Sequence, residues 1–159
     1  MDSDDISRPD RCERQLAVFA AHPAYSIVSG IVEEFSDTPD NISVRRVVPE
    51  EQSEIIAFAK KRNPFNHPCV MYKKSAVEAA GGYQDFYLLE DYYLWIRMLQ
   101  NGFQGYNLQE PCCGCGLAAT CINVGAAGNT FCRSIDCCSI CVNLGSSQLG
   151  PISWGLLCA

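Results

Sequence analysis

Two groups of carboxylates have the type and spacing to do chemistry. Glu90 and Asp91 follow an apolar, aromatic approach (Phe86, Tyr87, Leu88, Leu89) and open a segment of helical character, Tyr92 to Gln100. They therefore project from a helix N-terminus, where the macrodipole favours negative charge, and a carboxylate so placed can act as a general base. Acids in a first turn also serve simply to cap the helix, which is the plainer reading of the same pair. Asp2, Asp4 and Asp5 form the second group, just ahead of a segment that opens on Pro9. Extended backbone puts Asp2 and Asp4 on one side, where two carboxylates can share a hard divalent cation. Mg²⁺ takes one or two protein carboxylates plus substrate phosphate oxygens, so such a pair anticipates a phosphorylated ligand; otherwise the acids are solvated charge.

The elements that must position these groups alternate between helices and short apolar runs. Ser7, Pro9 and RCERQLAVFAAH read as a helix with Leu16, Phe19 and Ala20 on one face. AYSIVSGIVEEF follows as one or two strands with Gly30 as a bulge or bend, and SDTPDNIS as a turn or hairpin loop. Pro49 to Glu51 opens a second helix with Ile55, Ile56, Phe58 and Ala59 on its apolar side, stopped at Asn63-Pro64. Cys69 to Tyr72 suits a buried strand, and SAVEAAGGY a short helix ended by Gly81-Gly82, which is not framed as a phosphate loop. The helix from Tyr92 closes at Asn101-Gly102. Such alternation points to an α/β domain.

Composition divides the 159 residues in two. Only Arg133 and Asp136 of the charged side chains lie after Pro111, whereas nine of the eleven cysteines do. The formal net charge of −6 and the scatter of Lys and Arg argue against nucleic acid as a partner. No run approaches the length of a membrane span, and Met1-Asp2 opens without a secretory pattern, so the expected compartment is the cytoplasm and a disulfide framework is not expected. His67, before Pro68, is a structural hydrogen-bonding group or a candidate site residue; no ligand spacing pairs it with His22. Trp95, four residues past Asp91 on the same helical face, reads as a core aromatic, with a stacking platform for a ligand as the alternative.

MDSDDISRPDRCERQ resembles the DxD segment of the family 2, GT-A type glycosyltransferases. HPAYSIVSG is similar to that family's next strand, and NPFNHPCVMYKKSAVEAAGGY with LLEDYYLWIRMLQNGF to its acceptor-side half, so the resemblance covers about residues 1 to 111. It implies a partial GT-A (Rossmann-like) α/β domain lacking its N-terminal nucleotide-binding half. It also implies that Asp2 and Asp4 hold Mg²⁺ or Mn²⁺ against the donor diphosphate, with Asp4 as the direct ligand. Asp91 becomes the base that deprotonates an acceptor hydroxyl, with Glu90 positioning it or the acceptor, His67 a candidate acceptor-side residue, and Trp95, in its alternative reading, a sugar-stacking platform. The implied reaction is sugar transfer with inversion from a nucleotide-sugar donor to a glycan or lipid-linked acceptor, in a chain inactive or nearly so by itself.

Residues 112 to 159 break with this pattern. CCGCGLAATCINVGAAGNTFCRSIDCCSIC shows no helical or strand period and no paired zinc spacing, Cys137, Cys138 and Cys141 coming nearest to a cluster. Codons rebuilt one base out of step can be chosen, among the readings that degeneracy allows, to turn its cysteines and alanines into an apolar strand and a basic segment like the family's continuation. The tail is therefore expected to be out of frame and disordered. A carbohydrate-binding remnant without catalysis and a Cys-rich metal-binding protein are the rival readings.

Overall fold

A computed structural model describes residues 5–36 and 38–116. Within them the order is β1 (Asp5–Ser7), α1 (Arg11–Ala21), β2 (Tyr25–Phe35), β3 (Ile42–Arg46), α2 (Gln52–Ala59), β4 (Met71–Tyr72), α3 (Lys74–Ala79), α4 (Glu90–Gln100) and β5 (Gln104–Gly116), with a 3-10 turn at His67–Cys69. One mixed sheet runs β1-β5-β2-β3, and β4 lies beside β2 along the same edge as β3. Strands β2 and β5 are parallel; the β1–β5, β2–β3 and β2–β4 pairs are antiparallel. This is a mixed α/β fold, consistent with part of a Rossmann-like domain.

The core forms around α4, whose residues Tyr92 to Leu99 are all buried. A helix apolar all round must be covered on every side. Here Ile27 of β2, Ile55 and Ala59 of α2, Phe65, and Ala76 and Val77 of α3 do so. Tyr92 fixes α4 to α2 by donating its hydroxyl to the Ala59 carbonyl at 2.6 Å. Arg97 enters the same core and donates to the carbonyls of Ala80 and Gly82 at 2.5 and 2.6 Å, so it ties down the end of α3. The chain turns there through Gly81 and Gly82 at φ +85° and +65°, a left-handed region open to glycine at little cost. A second cluster gathers Val32, Cys69, Cys112 and Cys113.

Three expectations are corrected. Helix α1 does not bury Leu16, which is 58% exposed; it turns Gln15 inward, because the Gln15 amide donates to the carbonyls of Val28 and Cys69 at 3.1 and 2.6 Å. The run from Cys69 to Tyr72 is a strand only at its last two residues. Pro68 has no N–H to give a ladder, and the N–H groups of Cys69 and Val70 close a turn on the carbonyls of Asn66 and His67 instead. Last, residues 112–116 are not without strand structure: they complete β5, pairing with β2 and β1 through backbone groups that any residue except proline supplies in full. Residues 117–159, which include Cys137, Cys138 and Cys141 and most of the tail expected to be out of frame, lie outside the described residues.

Candidate functional site

Asp91 is the focus. Glu90 and Asp91 are the first two residues of α4, after Leu89 at the N-cap, a side chain that cannot cap. Asp91 turns across to the segment that follows α2: its Oδ2 accepts from Asn63 Nδ2 at 2.8 Å and lies 3.8 Å from His67 Nδ1. Its side chain is 17% exposed, enough for a small group to reach it, while His67 is half exposed. Glu90 is exposed at the rim. Ahead of the helix, Leu88 adopts φ +60°, rare for a branched residue, which turns Tyr87 and Leu88 outward while Phe86 and Leu89 pack against the core. The apolar approach seen in the sequence is thus split between core and rim.

The segment 63–69 is pinned from several sides, and this holds Asn63 and His67 in place. Asn63 Oδ1 accepts from the Phe65 N–H at 3.3 Å, a local turn that aims the amide at Asp91. The Asn66 amide donates to the carbonyls of Gly30 and Arg46, both at 2.9 Å. Asn107 of β5, fully buried, donates to the Pro64 carbonyl at 3.0 Å and to that of Pro49. Gln15 holds the Cys69 carbonyl from α1.

Trp95 is 0% exposed, with Phe65, Tyr72 and Tyr83 rings 6.0 to 6.3 Å away, so it is a core residue beneath the site and presents no face to a sugar. Tyr72 and Tyr83 themselves reach the surface. Desolvation, then the neighbouring Tyr72 and the negative charge of Asp91, push the Tyr83 phenol up to about 12, so it is a protonated donor beside the acid. Asn63, Tyr72 and Tyr83 escaped the sequence reading. Asn63-Pro64 was legible only as a helix stop, and no spacing announces a contact 28 residues away.

Asp2 and Asp4 lie outside the described residues. Asp5, next to them, stands opposite Cys115 across the β1–β5 pair, and Cys113 lies two residues back along β5 on the same face. Asp5, Cys113 and Cys115 bring one carboxylate and two thiols within 4.8 Å of one another. That donor set does not fit Mg²⁺, which takes oxygen ligands. The hydrogen bond from Cys115 lowers the Cys113 pKa, and the same bond, followed by burial and Asp5, raises that of Cys115. Burial pushes Cys112 up to about 12 and raises Cys69, both of which remain inert core thiols.

No protein-family model matches the chain. Curated relatives do. An uncharacterized glycosyltransferase of Haemophilus influenzae is 47% identical over 110 residues, 69% of this chain and 40% of the relative. The UDP-Gal:alpha-D-GlcNAc-diphosphoundecaprenol beta-1,3-galactosyltransferase of Escherichia coli is 42% identical over 109 residues, 69% and 39% of the two chains. The chain is homologous to glycosyltransferases. An amylovoran biosynthesis glycosyltransferase of Erwinia amylovora adds 38% identity over 110 residues, 69% of this chain and 41% of its own length. The chain therefore spans about 40% of the length of the glycosyltransferases it matches. Among the described residues, no helix is long and apolar enough to cross a membrane.

Proposed function

We propose that the described residues are the acceptor side of a GT-A type glycosyltransferase. It moves a sugar from a nucleotide-sugar donor to a hydroxyl of a glycan or lipid-linked acceptor, with inversion, in polysaccharide assembly at the cytoplasm. The observation that carries this reading is Asp91 at the head of α4, oriented by Asn63 at 2.8 Å and partly open to solvent. The relatives' names supply the reaction class, and that of the Escherichia coli protein includes a lipid-linked acceptor.

On this reading Asp91 takes the acceptor's hydroxyl proton as the oxygen bonds to the anomeric carbon and the donor's bond to its diphosphate breaks. Proton removal by a positioned carboxylate contributes about 10²- to 10⁴-fold to rate. Asn63 keeps one oxygen of Asp91 fixed, so the carboxylate is set before the acceptor arrives. His67 and the protonated Tyr83 offer hydrogen bonds to acceptor oxygens, and exposed Glu90 positions the acceptor from the rim. Asp2 and Asp4 would hold the Mg²⁺ or Mn²⁺, which when bound supplies positive charge to the leaving diphosphate. On this reading the residues that match about 40% of the relatives' length do not suffice to bind the donor, and this chain by itself is expected to transfer no sugar.

The test grafts residues 1–110 in place of the homologous segment of the Escherichia coli galactosyltransferase. The graft is expected to transfer galactose, and Asp91→Asn within it to lower kcat by about 10²- to 10⁴-fold. Asn63→Ala should lower kcat less and leave the fold unchanged by circular dichroism. A graft whose turnover is indifferent to Asp91→Asn would remove Asp91 from the chemistry.

A further inference from the structure

We propose that Asp5, Cys113 and Cys115 form a binding site for a thiophilic divalent cation of the Zn²⁺ class, separate in chemistry from the oxygen-ligand ion proposed at Asp2 and Asp4. The inference stands on geometry and does not depend on the transferase reading. The antiparallel β1–β5 pair sets Asp5 directly opposite Cys115 and Ser7 opposite Cys113. Because side chains alternate along a strand, the Cys-x-Cys spacing puts both thiols on the face that carries the Asp5 carboxylate. The three ligand atoms lie within 4.8 Å of one another. Tetrahedral zinc with Zn–S bonds of about 2.3 Å needs ligands roughly 3.8 Å apart, a distance that side-chain rotation can supply.

The surroundings favour the same ligand class. Cys113 is 1% exposed whereas Cys115 and Asp5 are half-buried, so the group has a covered base and an accessible side. Two soft sulfur ligands select zinc and its analogues over Mg²⁺ or Ca²⁺. Three protein ligands leave a fourth position of a tetrahedral ion for water or another group, the arrangement of open rather than closed zinc sites. Among the described residues, strands β1 and β5 pair at three positions. An ion joining them would stabilise the folded chain by mass action.

The test uses the full-length chain with Cys121, Cys132, Cys137, Cys138, Cys141 and Cys158 replaced by serine, and Co²⁺ as a spectroscopic stand-in for Zn²⁺. One equivalent of Co²⁺ is expected to produce a thiolate-to-metal charge-transfer band that Zn²⁺ abolishes and a large excess of Mg²⁺ does not. Cys113→Ser and Cys115→Ser should each reduce the band and weaken binding. Cys115→Ser, at the more exposed position, keeps the test decisive if Cys113→Ser fails to fold. Asp5→Asn should retain the band but lower the affinity about tenfold or more, and Cys12→Ser on α1 should change nothing. Absence of the band, displacement of Co²⁺ by Mg²⁺, affinity indifferent to Asp5→Asn, or a band unchanged by either strand cysteine would overturn the site.

Discussion

At the scale of single residues, the two acids of one dipeptide part company. Asp91 is drawn inward by Asn63 while Glu90 stays in solvent. Their presence at a helix start was legible because acids, an aromatic approach and helical periodicity all lie within one local stretch. Their division of labour was not, since it depends on a side chain from another segment. Tyr106 shows the same limit. It donates its hydroxyl to Glu50 Oε1 at 2.5 Å, and that bond, followed by burial, pushes its pKa from 10.0 up to about 12. The folded protein thus keeps a proton that the unfolded chain releases near pH 10, so this contribution is complete below about pH 10 and lost as pH rises through about 12. Tyr106→Phe should therefore lower stability at neutral pH yet flatten the fall in the urea midpoint across the alkaline range. Tyr83, raised to a similar value, keeps part of the slope. An alkaline slope identical to the unsubstituted protein's would show that the Tyr106 proton is not linked to folding.

At the scale of elements, β2 shows how a sequence pattern can name a strand and miss what stabilises it. YSIVSGIVEEF reads as apolar with a charged end, yet the side chains of Glu33 and Glu34 are only 8% and 3% exposed. Burying carboxylates requires partners. Arg8 and Arg45 supply them to Glu33, and Arg46 to Glu34. Arg45 and Arg46 come from β3, five exposed residues without a core pattern, of which Ile42 and Ser43 read as part of the polar turn and the rest as no element. The hairpin is thus fastened by charge across its strands. Arg46→Met should cost about 2 to 4 kcal/mol, less than a fully buried pair because half of Arg46 lies in water. Adding Glu34→Gln should recover much of that loss by removing the stranded charge. A double-mutant cycle in urea measures the coupling, and additive costs would show that the pair is not coupled. The four helices were legible in type and approximate extent because caps, breakers and periodicity are local signals. The inward face of α1 was not, because a buried glutamine, not a leucine, anchors it.

At the scale of the whole molecule, β5 decides the architecture, and it was the element least visible in the sequence. A central strand with a parallel neighbour is usually a continuous apolar run. Here Gln104 to Gly116 mixes glycine, asparagine, glutamine, glutamate, proline and cysteine. Its fit comes from backbone and space. Gly105 lies so close to Phe65 and Ile27 that an added Cβ would fall 2.5 and 2.8 Å from them. Gly30 pairs with Leu108 and Ile31 with Pro111, so β5 loops out two residues there and brings Cys112 over Gly30. Proline lacks the ladder N–H, which explains an irregularity at this point. The expected end of the folded part at residue 111 therefore falls inside a strand, since polarity and cysteine content gave no sign that backbone pairing continues. Gly30 turns this into a measurement, because a Cβ on it would lie 2.4 Å from Cys112 Sγ. Gly30→Ala should cost about 1 to 3 kcal/mol through overpacking, and Cys112→Ala, by removing that sulfur, should recover most of the loss in the double variant. A neutral Gly30→Ala, or a cost indifferent to Cys112→Ala, would mean that the cysteine run past Pro111 does not lie on β2. Coupling between these two positions would join residues 112–116 to the sheet whose Gly30 and Asn107 hold the segment that carries Asn63 and His67.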